Sequence, residues 1–402
     1  MIDLRAARAD PGAFRSALAR KGAAETFDAL LAADARWRAL VPQVDELRSR
    51  QKLDGKGRPT PEQLDELKRV KAELQEREAE LAEAELVRDE LLAQVPNPPH
   101  PSTPDGDSEE DAEELRRVGE PPRLAEPMEH TAIGRFEMER AARLSGSRFG
   151  YLVGDTALLA LALYRAALDH LVQHGFTPVI TPVLVREEAM YGTGFFPTER
   201  SNIYELPEDG LYLTGTSEVA LAGLHMGEIL PAEELPLRYA GFSTNFRREA
   251  GAAGKDTRGM FRVHQFNKVE MFVYTLPETS WEEHDRMVEL EERFLGSLGL
   301  PYRAVNVAAG DLGAPAAKKV DLEVWFPAQE RYREVTSCSN TTDFQARRLG
   351  IRYRGERGGP EPVHTLNGTM VTDRTVLAVL ENLQGEVPEA LRPFGAPERI
   401  RR

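Results

Sequence analysis

The chain has 402 residues, 41% apolar and 29% charged, with a formal net charge of −15. That length accommodates two or more domains with a substantial core, and the balance excludes collagen-like and low-complexity chains. A single cysteine, Cys338, excludes an intramolecular disulfide and a cysteine-rich zinc site, and fits a reducing cytoplasm. Met1-Ile2-Asp3-Leu4-Arg5 carries charge where a secretory signal would need an apolar core. The longest apolar run, Ala157 to Tyr164, is too short to span a bilayer and reads as a buried helix.

Residues 1–26 read as short helical segments broken at Asp10-Pro11 and Gly22. From Phe27 the pattern changes: Leu30, Ala33, Trp37, Leu40, Val44 and Leu47 recur at steps of three and four, a heptad seam. Pro42 interrupts this seam and is expected to kink or split its helix. Asp54 to Pro59 forms a glycine- and proline-bearing turn. Thr60-Pro61-Glu62-Gln63 then supplies a capping hydroxyl, a proline at the first helical position and a capping-box glutamine. A second seam runs through Leu67, Val70, Leu74, Leu81, Ala84, Leu91 and Val95, and stops at Pro96-Asn97-Pro98-Pro99.

Two such helices joined by a tight turn fold back on each other, so residues 27–95 are expected to form an antiparallel coiled-coil hairpin within an N-terminal domain of residues 1–100. The second helix would be roughly 50 Å long at ~1.5 Å per residue. Near the tip sit Arg48, Arg50, Lys52, Lys56, Arg58, Lys68, Arg69 and Lys71, while the base is mostly acidic. Mixed charge of this kind usually marks a solvated face, and the alternative is a phosphate-backbone contact. A net negative chain does not forbid the latter, because charges more than about 10 Å apart are largely screened at ~0.1 M salt. Residues 101–126, with Asp105 to Asp111, read as an acidic linker. Residues 127–402 alternate β-rich runs with amphipathic helices, an α+β pattern.

The chemistry concentrates between Asn245 and Glu270. Arg247, Arg248, Lys255, Arg258, Arg262 and Lys268 interleave with glycines in a strand–loop–strand pattern. Glycines admit a ligand to the backbone, and guanidinium forks suit phosphate oxygens. Glu249 and Asp256 stand where a Walker loop needs a glycine and a Ser or Thr.

At these residues the sequence resembles the seryl branch of the class II aminoacyl-tRNA synthetases. Phe246-Arg247-x-Glu249-Ala250-Gly251, running to His264-Gln265-Phe266 and Lys268-Val269-Glu270, looks like motif 2. Asn367-Gly368-Thr369 through Arg374-Thr375 to Leu380-Glu381-Asn382 looks like motif 3, and Thr181-Pro182 resembles motif 1. Thr216-Ser217-Glu218 and Glu334-Val-Thr-Ser337-Cys338-Ser339-Asn340 are similar to seryl signatures, and the heptad hairpin matches the family's tRNA-binding arm.

The resemblance implies a class II antiparallel sheet flanked by helices behind a coiled-coil arm, with ATP, serine, Mg²⁺ and tRNA(Ser) as ligands. Arg247, Arg262 and Arg374 would be catalytic. Arg247, Glu249, Arg262, Phe266, Glu334, Ser337 and Arg374 would hold ATP, with Glu249 on the adenine amino group and Phe266 on its face. Glu334 and Ser337 would be metal ligands. Thr216, Glu218, Arg247, Glu270, Asn367 and Thr369 would hold serine, and the arm cations tRNA. The resemblance further implies a cytoplasmic homodimer with no membrane segment. His264 reads as a hydrogen-bonded scaffold residue and Cys338 as structural. Lys255 and Arg258 read as serving a loop or the tRNA acceptor end. Two competing readings are a paralogue that passes seryl-adenylate elsewhere and a non-catalytic RNA-binding scaffold. Decay to a scaffold should have removed Arg247, Glu334 or Arg374, and all three are present.

Overall fold

The computed structural model describes residues 1–51, 60–250, 259–355 and 359–401. It divides into two compact units, Met1–Pro98 and Pro99–Arg402.

In the first unit, helices α1 (Leu4–Ala9) and α2 (Pro11–Ala19) start where Asp3 and Asp10 accept hydrogen bonds from backbone N–H groups of their first turns. Helices α3 (Ala24–Arg50) and α4 (Pro61–Gln94) form the hairpin. Both halves of the expected capping box are present: Thr60 Oγ1 accepts from Gln63 N–H at 3.2 Å, and Gln63 Oε1 accepts from Thr60 N–H at 2.8 Å. Val44 and Leu47 late in α3 pack on Val70 and Leu74 early in α4, whereas Phe27 and Leu30 share a cluster with Leu92 and Val95. That crossing of early with late makes the pair antiparallel. Pro42 does not split α3, which continues from residue 24 to 50. Pro42 and Arg38 are both exposed, so the carbonyl deprived of its N–H partner can turn to water.

The second unit is built on an eight-stranded sheet. Its strands are β1 (Glu113–Val118), β2 (Thr177–Ile180), β3 (Leu237–Phe246), β4 (Gln265–Thr275), β5 (Tyr302–Asn306), β6 (Lys318–Phe326), β7 (Arg331–Thr342) and β8 (His364–Thr372). The spatial order is β1-β5-β6-β7-β8-β4-β3-β2, antiparallel throughout except for the β2–β3 pair. Helices α5 (Asp155–Gln173), α6 (Glu218–Ala222), α7 (Ser280–Ser297), α8 (Phe344–Leu349) and α9 (Asp373–Leu383) lie among these strands.

Strand β4 shows how the sheet sorts its faces. Every residue from Lys268 to Thr275 is buried. Val269, Met271 and Val273 join the main core with Leu163 of α5, Met287 of α7 and Leu377 of α9. Phe272 and Tyr274 pack the opposite face with Leu221 and Leu349. Period-two alternation places Lys268 and Glu270 on that second face too, so the strand carries polar groups at one end and aromatic rings at the other. Gly368 of β8 allows α7 to come close: a Cβ there would lie 3.0 Å from both Glu291 Oε1 and the Met287 methyl.

Two further expectations change. The 101–126 stretch is not only linker, because Glu113–Val118 pairs with β5 as an edge strand. Its charged sequence shows no apolar face, and its ion pairs Arg116–Glu292 at 2.6 Å and Arg117–Glu114 at 2.7 Å suit an edge that must not recruit another strand. The apolar run of α5 is mostly but not wholly buried: Leu158 is 48% exposed and Leu161 62%, and Ile180 on β2 is 88% exposed. Among the described residues no helix is long and apolar enough to cross a membrane.

Candidate active site

Arg247 leaves the end of β3 and is pinned from three directions. Its Nε donates to Gly215 O at 3.1 Å, and its N–H donates to His264 O at 2.9 Å. Its carbonyl lies 2.9 Å from His264 Nδ1, which makes His264 part of the scaffold. The guanidinium sits 5.3 Å above the Phe266 ring. Two residues on, Glu249 adopts φ +52°, a left-handed conformation uncommon for a side chain with a Cβ, and its carboxylate meets Arg262 Nη1 at 2.5 Å. Lys255 and Arg258, expected to serve the intervening loop, lie outside the described residues.

Glu334 and Ser337 stand three apart on β7, a spacing that regular pleating would send to opposite faces. A bulge resolves this. Leu322 pairs with Thr336 and Glu323 with Glu334, so Val335 is an extra residue and both polar side chains line one cavity. Arg374 reaches the same cavity from the first turn of α9, where Thr372 Oγ1 accepts its N–H at 3.1 Å. Its guanidinium lies 4.7 Å over Phe261 and 3.5 Å from Glu334 Oε2.

The residues so assembled from four chain segments line a cavity of about 130 Å³: Arg247, Glu249, Arg262, Phe266, Lys268, Glu334, Ser337, Thr369 and Arg374. A second cavity of about 410 Å³ shares Arg247, Glu249 and Arg262, and adds Glu218 and Asn367. Thr216 and Glu270, expected to touch serine, line neither cavity. The Thr216 hydroxyl accepts from Glu218 N–H at 3.2 Å, and Glu270 lies beneath Thr369, paired with Lys268.

Charge tunes these groups in opposite directions. Burial would raise the Glu334 carboxyl, but Lys319, Arg374 and Arg247 outweigh it and hold the group well below the usual carboxylate range. Burial pushes Glu270 up to about 7 despite Lys268, and raises Glu218 despite Lys268, Gln345 and Arg247. Burial lowers the Arg374 guanidinium, with Glu334 opposing the shift. Burial also drives the Cys338 thiol far up, as befits an inert core residue. From sequence Lys268 belongs to the cation cluster but has no assigned role, and Lys319 is not singled out. Lys319 lines the larger cavity and bonds Asp321 Oδ2 at 3.0 Å. The signal was the alternation Lys319-Val-Asp321-Leu-Glu323, which reads equally as an exposed strand face.

The model of the tRNA synthetase class II core domain (G, H, P, S and T) matches residues 202–383, and that of the seryl-tRNA synthetase N-terminal domain matches residues 1–99. The serine--tRNA ligase of Thermobifida fusca is 49% identical over 98% of this chain and 97% of its own. The chain belongs to the seryl-tRNA synthetase family. The seryl-tRNA synthetase of Pyrococcus horikoshii, solved in complex with ATP, superposes with a TM-score of 0.92 at 39% identity, covering 100% of this chain and 99% of that one. The serine--tRNA ligase of Naegleria fowleri, solved with AMP, gives 0.87 at 34% identity over 98% of this chain and 96% of its own.

In this seryl-tRNA synthetase chain the hairpin's cations fall into three groups. Arg48 pairs with Glu78 at 2.9 Å, Arg50 with Glu66 at 2.9 Å, and Lys68 with Asp65 at 2.9 Å. Arg69 and Lys71 have no ion-pair partner among the described residues. Lys52, Lys56 and Arg58 lie outside the described residues.

Proposed function

We propose that the chain condenses serine with ATP to seryl-adenylate in the paired cavities and then transfers the seryl group to the 3′ end of tRNA(Ser). The observation that carries this reading is the shared wall of Arg247, Glu249 and Arg262 between the two cavities. A nucleotide in the smaller cavity and an amino acid in the larger one would meet at that wall, with their reacting atoms beside Arg247.

In the first step the serine carboxylate oxygen forms a bond to the α-phosphorus while the bond to the bridging oxygen of pyrophosphate breaks. The nucleophile is already ionised, so no general base is required. Arg247 bridges the α-phosphate and the carboxylate, and offsets the charge that accumulates between them. Phe266 supplies a face for the purine, and Glu249, already turned by Arg262, accepts from its amino group. Arg262 and Arg374 hold the triphosphate tail. The work is positioning and charge stabilisation.

Glu334 and Ser337 fit a Mg²⁺ site. Both offer hard oxygens to one cavity, and surrounding cations keep the Glu334 carboxyl ionised. Among the described residues no three acidic, imidazole or thiol groups converge as a complete ligand set, so nucleotide phosphates would supply further oxygens. Bound there, Mg²⁺ would neutralise phosphate charge and orient the α- and β-phosphates. On the amino-acid side, Glu218 and Asn367 line the larger cavity; Thr369 faces the smaller one with Glu270 behind it, and Thr216 supports Glu218. A wall built to pair with a hydroxyl rejects alanine, because its own polar groups would be left unpaired. In the second step the terminal ribose hydroxyl attacks the seryl carbonyl, the carbonyl–phosphate bond breaks, and AMP leaves with the hydroxyl proton taken up by its phosphate.

The hairpin cations serve the tRNA backbone. The paired ones are not withdrawn from that role, because exposed ion pairs contribute only about 0–1 kcal/mol and yield to a phosphate. The exposed apolar stripe of Leu158, Leu161 and Val172 on α5, with Ile180 on β2, suits a second copy of the chain, and we assign a homodimer. Light scattering at monomer mass would overturn that assignment. With ATP and tRNA as substrates, the cytoplasm is the compartment.

Amino-acid-dependent ATP–pyrophosphate exchange with serine, threonine, alanine and glycine, followed by charging of serine tRNA, tests the whole reading. Exchange with serine alone plus charging is expected. Exchange without charging would overturn the tRNA step, and no exchange with any amino acid would overturn the reading altogether.

A further inference from the structure

Behind the larger cavity lies a buried polar network that the roles assigned above leave unused. Gln345, on α8, is fully enclosed. Its Oε1 accepts from the Thr365 hydroxyl at 2.9 Å and lies 3.3 Å from Thr341 Oγ1. Thr341 is the extra residue of a bulge, since Asn340 pairs with Leu366 and Thr342 with Thr365. On its other side, Gln345 Nε2 donates to Glu218 Oε1 at 2.7 Å and to Thr193 O at 3.3 Å. These partners fix the amide's orientation. Flipped, its carbonyl oxygen would face a carboxylate oxygen and a backbone carbonyl, neither of which can donate unless the carboxyl is protonated.

The consequence appears at Glu218. Its Oε1 takes a second donor, Asn367 Nδ2, at 3.0 Å, so that oxygen is filled. Its Oε2 has no hydrogen-bond partner among the described residues, and Glu218 lines the larger cavity. Two donors arriving from different elements, α8 and β8, leave the carboxylate one orientation. Burial makes that control matter, because an enclosed carboxylate without its donors bears the full desolvation penalty.

We propose that Gln345 is a positioning residue for amino-acid selection: by holding Glu218 Oε1, it presents Oε2 to the donor groups of the substrate amino acid. This rests on the larger cavity being the serine site. Gln345 itself touches neither substrate. Its length sets the carboxylate's place, and the threonine hydroxyls on its far side set its direction.

The test compares wild type, Gln345→Met and Gln345→Glu in serine-dependent ATP–pyrophosphate exchange from about pH 6 to about pH 9, with thermal unfolding of each. Methionine keeps the approximate volume and removes both N–H donors. The expected result is a KM for serine raised roughly 10- to 100-fold, as for loss of a hydrogen bond to a charged group, and reduced discrimination against alanine. The KM for ATP should stay within about twofold, since the ATP contacts do not pass through this amide. In Gln345→Glu two carboxyls would share one proton, which occupies the place of the lost N–H. Its KM for serine should therefore recover as pH falls, a response that the methionine variant cannot show. An unchanged KM for serine in Gln345→Met overturns the proposal. So does a parallel rise in both KM values with a lowered melting temperature and no pH recovery in Gln345→Glu, which is the behaviour of a purely structural residue. A wild-type protein without serine-dependent exchange would instead sink the reading of the site, and the proposal with it.

Discussion

The hairpin and the active site carry charge in opposite ways. On the hairpin, cations and carboxylates meet at the surface over short helical spacings or across the facing helix: Lys68 with Asp65, Arg48 with Glu78, Arg50 with Glu66. Around the catalytic site they are enclosed: Lys319 and Arg374 reach Glu334 from other elements, Lys268 meets Glu270 along one buried strand, and the neutral amide of Gln345 donates to Glu218. Exposed pairs are cheap to break and nearly additive, so a surface of this kind can bind a flexible polyanion with many replaceable contacts. Enclosed groups are strongly coupled, because each charge needs its partner to offset desolvation. Such a site can hold one geometry, and it fails when a single member is removed.

That contrast can be broken at the catalytic end first. Glu334→Ala should lower adenylate formation by roughly 100- to 1,000-fold or more while leaving the oligomeric state unchanged. Retained pyrophosphate exchange would remove Glu334 from the metal role and weaken the claim that enclosed charges act as a unit.

Glu270 sharpens the comparison through pH. Its carboxyl titrates near 7 in the folded chain against 4.5 ordinarily. Between those values the folded state holds more protons than the unfolded one, so stability falls as pH rises through that window. The ionised form costs about 3 kcal/mol by its upper end. Calorimetric melting of Glu270→Gln should show a flatter pH dependence from about pH 4.5 to about pH 7. An unchanged slope would mean that another group carries the titration.

On the hairpin the expected effects are smaller. Arg69→Ala with Lys71→Ala should raise the KM for tRNA by several-fold and reduce the salt dependence of tRNA binding by about one ion per charge removed, without touching serine-dependent exchange. A change in exchange would show that the two units are not chemically independent. The smallest effect belongs to Glu66→Ala and Glu78→Ala, which release Arg50 and Arg48 from their pairs. Each should alter stability by less than about 1 kcal/mol and slightly strengthen tRNA binding, measured by denaturant melts and by filter binding.

Much of the hairpin was legible in sequence because it is local. The seam and the Thr60–Gln63 capping box depend on neighbours within a few residues, and both heptad runs appear where expected, while the turn expected at Asp54 to Pro59 lies outside the described residues. Pro42 departed from expectation because the cost of a missing N–H depends on whether the orphaned carbonyl faces water, which spacing does not encode. The edge strand β1 was hidden for a related reason. Its residues are exposed and charged, and only pairing with β5 makes them a strand.

Residue identity by itself determined the family resemblance, the heptad hairpin and the set of arginines and carboxylates able to handle a nucleotide. Those rest on side-chain chemistry and short-range periodicity. Tertiary structure alone decided which of them share a wall. The bulge at Val335 turns Glu334 and Ser337 to one side, Glu270 is sealed beneath Thr369, and Lys319 and Gln345 become partners of the site from strands and helices far away in sequence. Bulges and enclosure are properties of pairing between segments, so no window along the chain contains them.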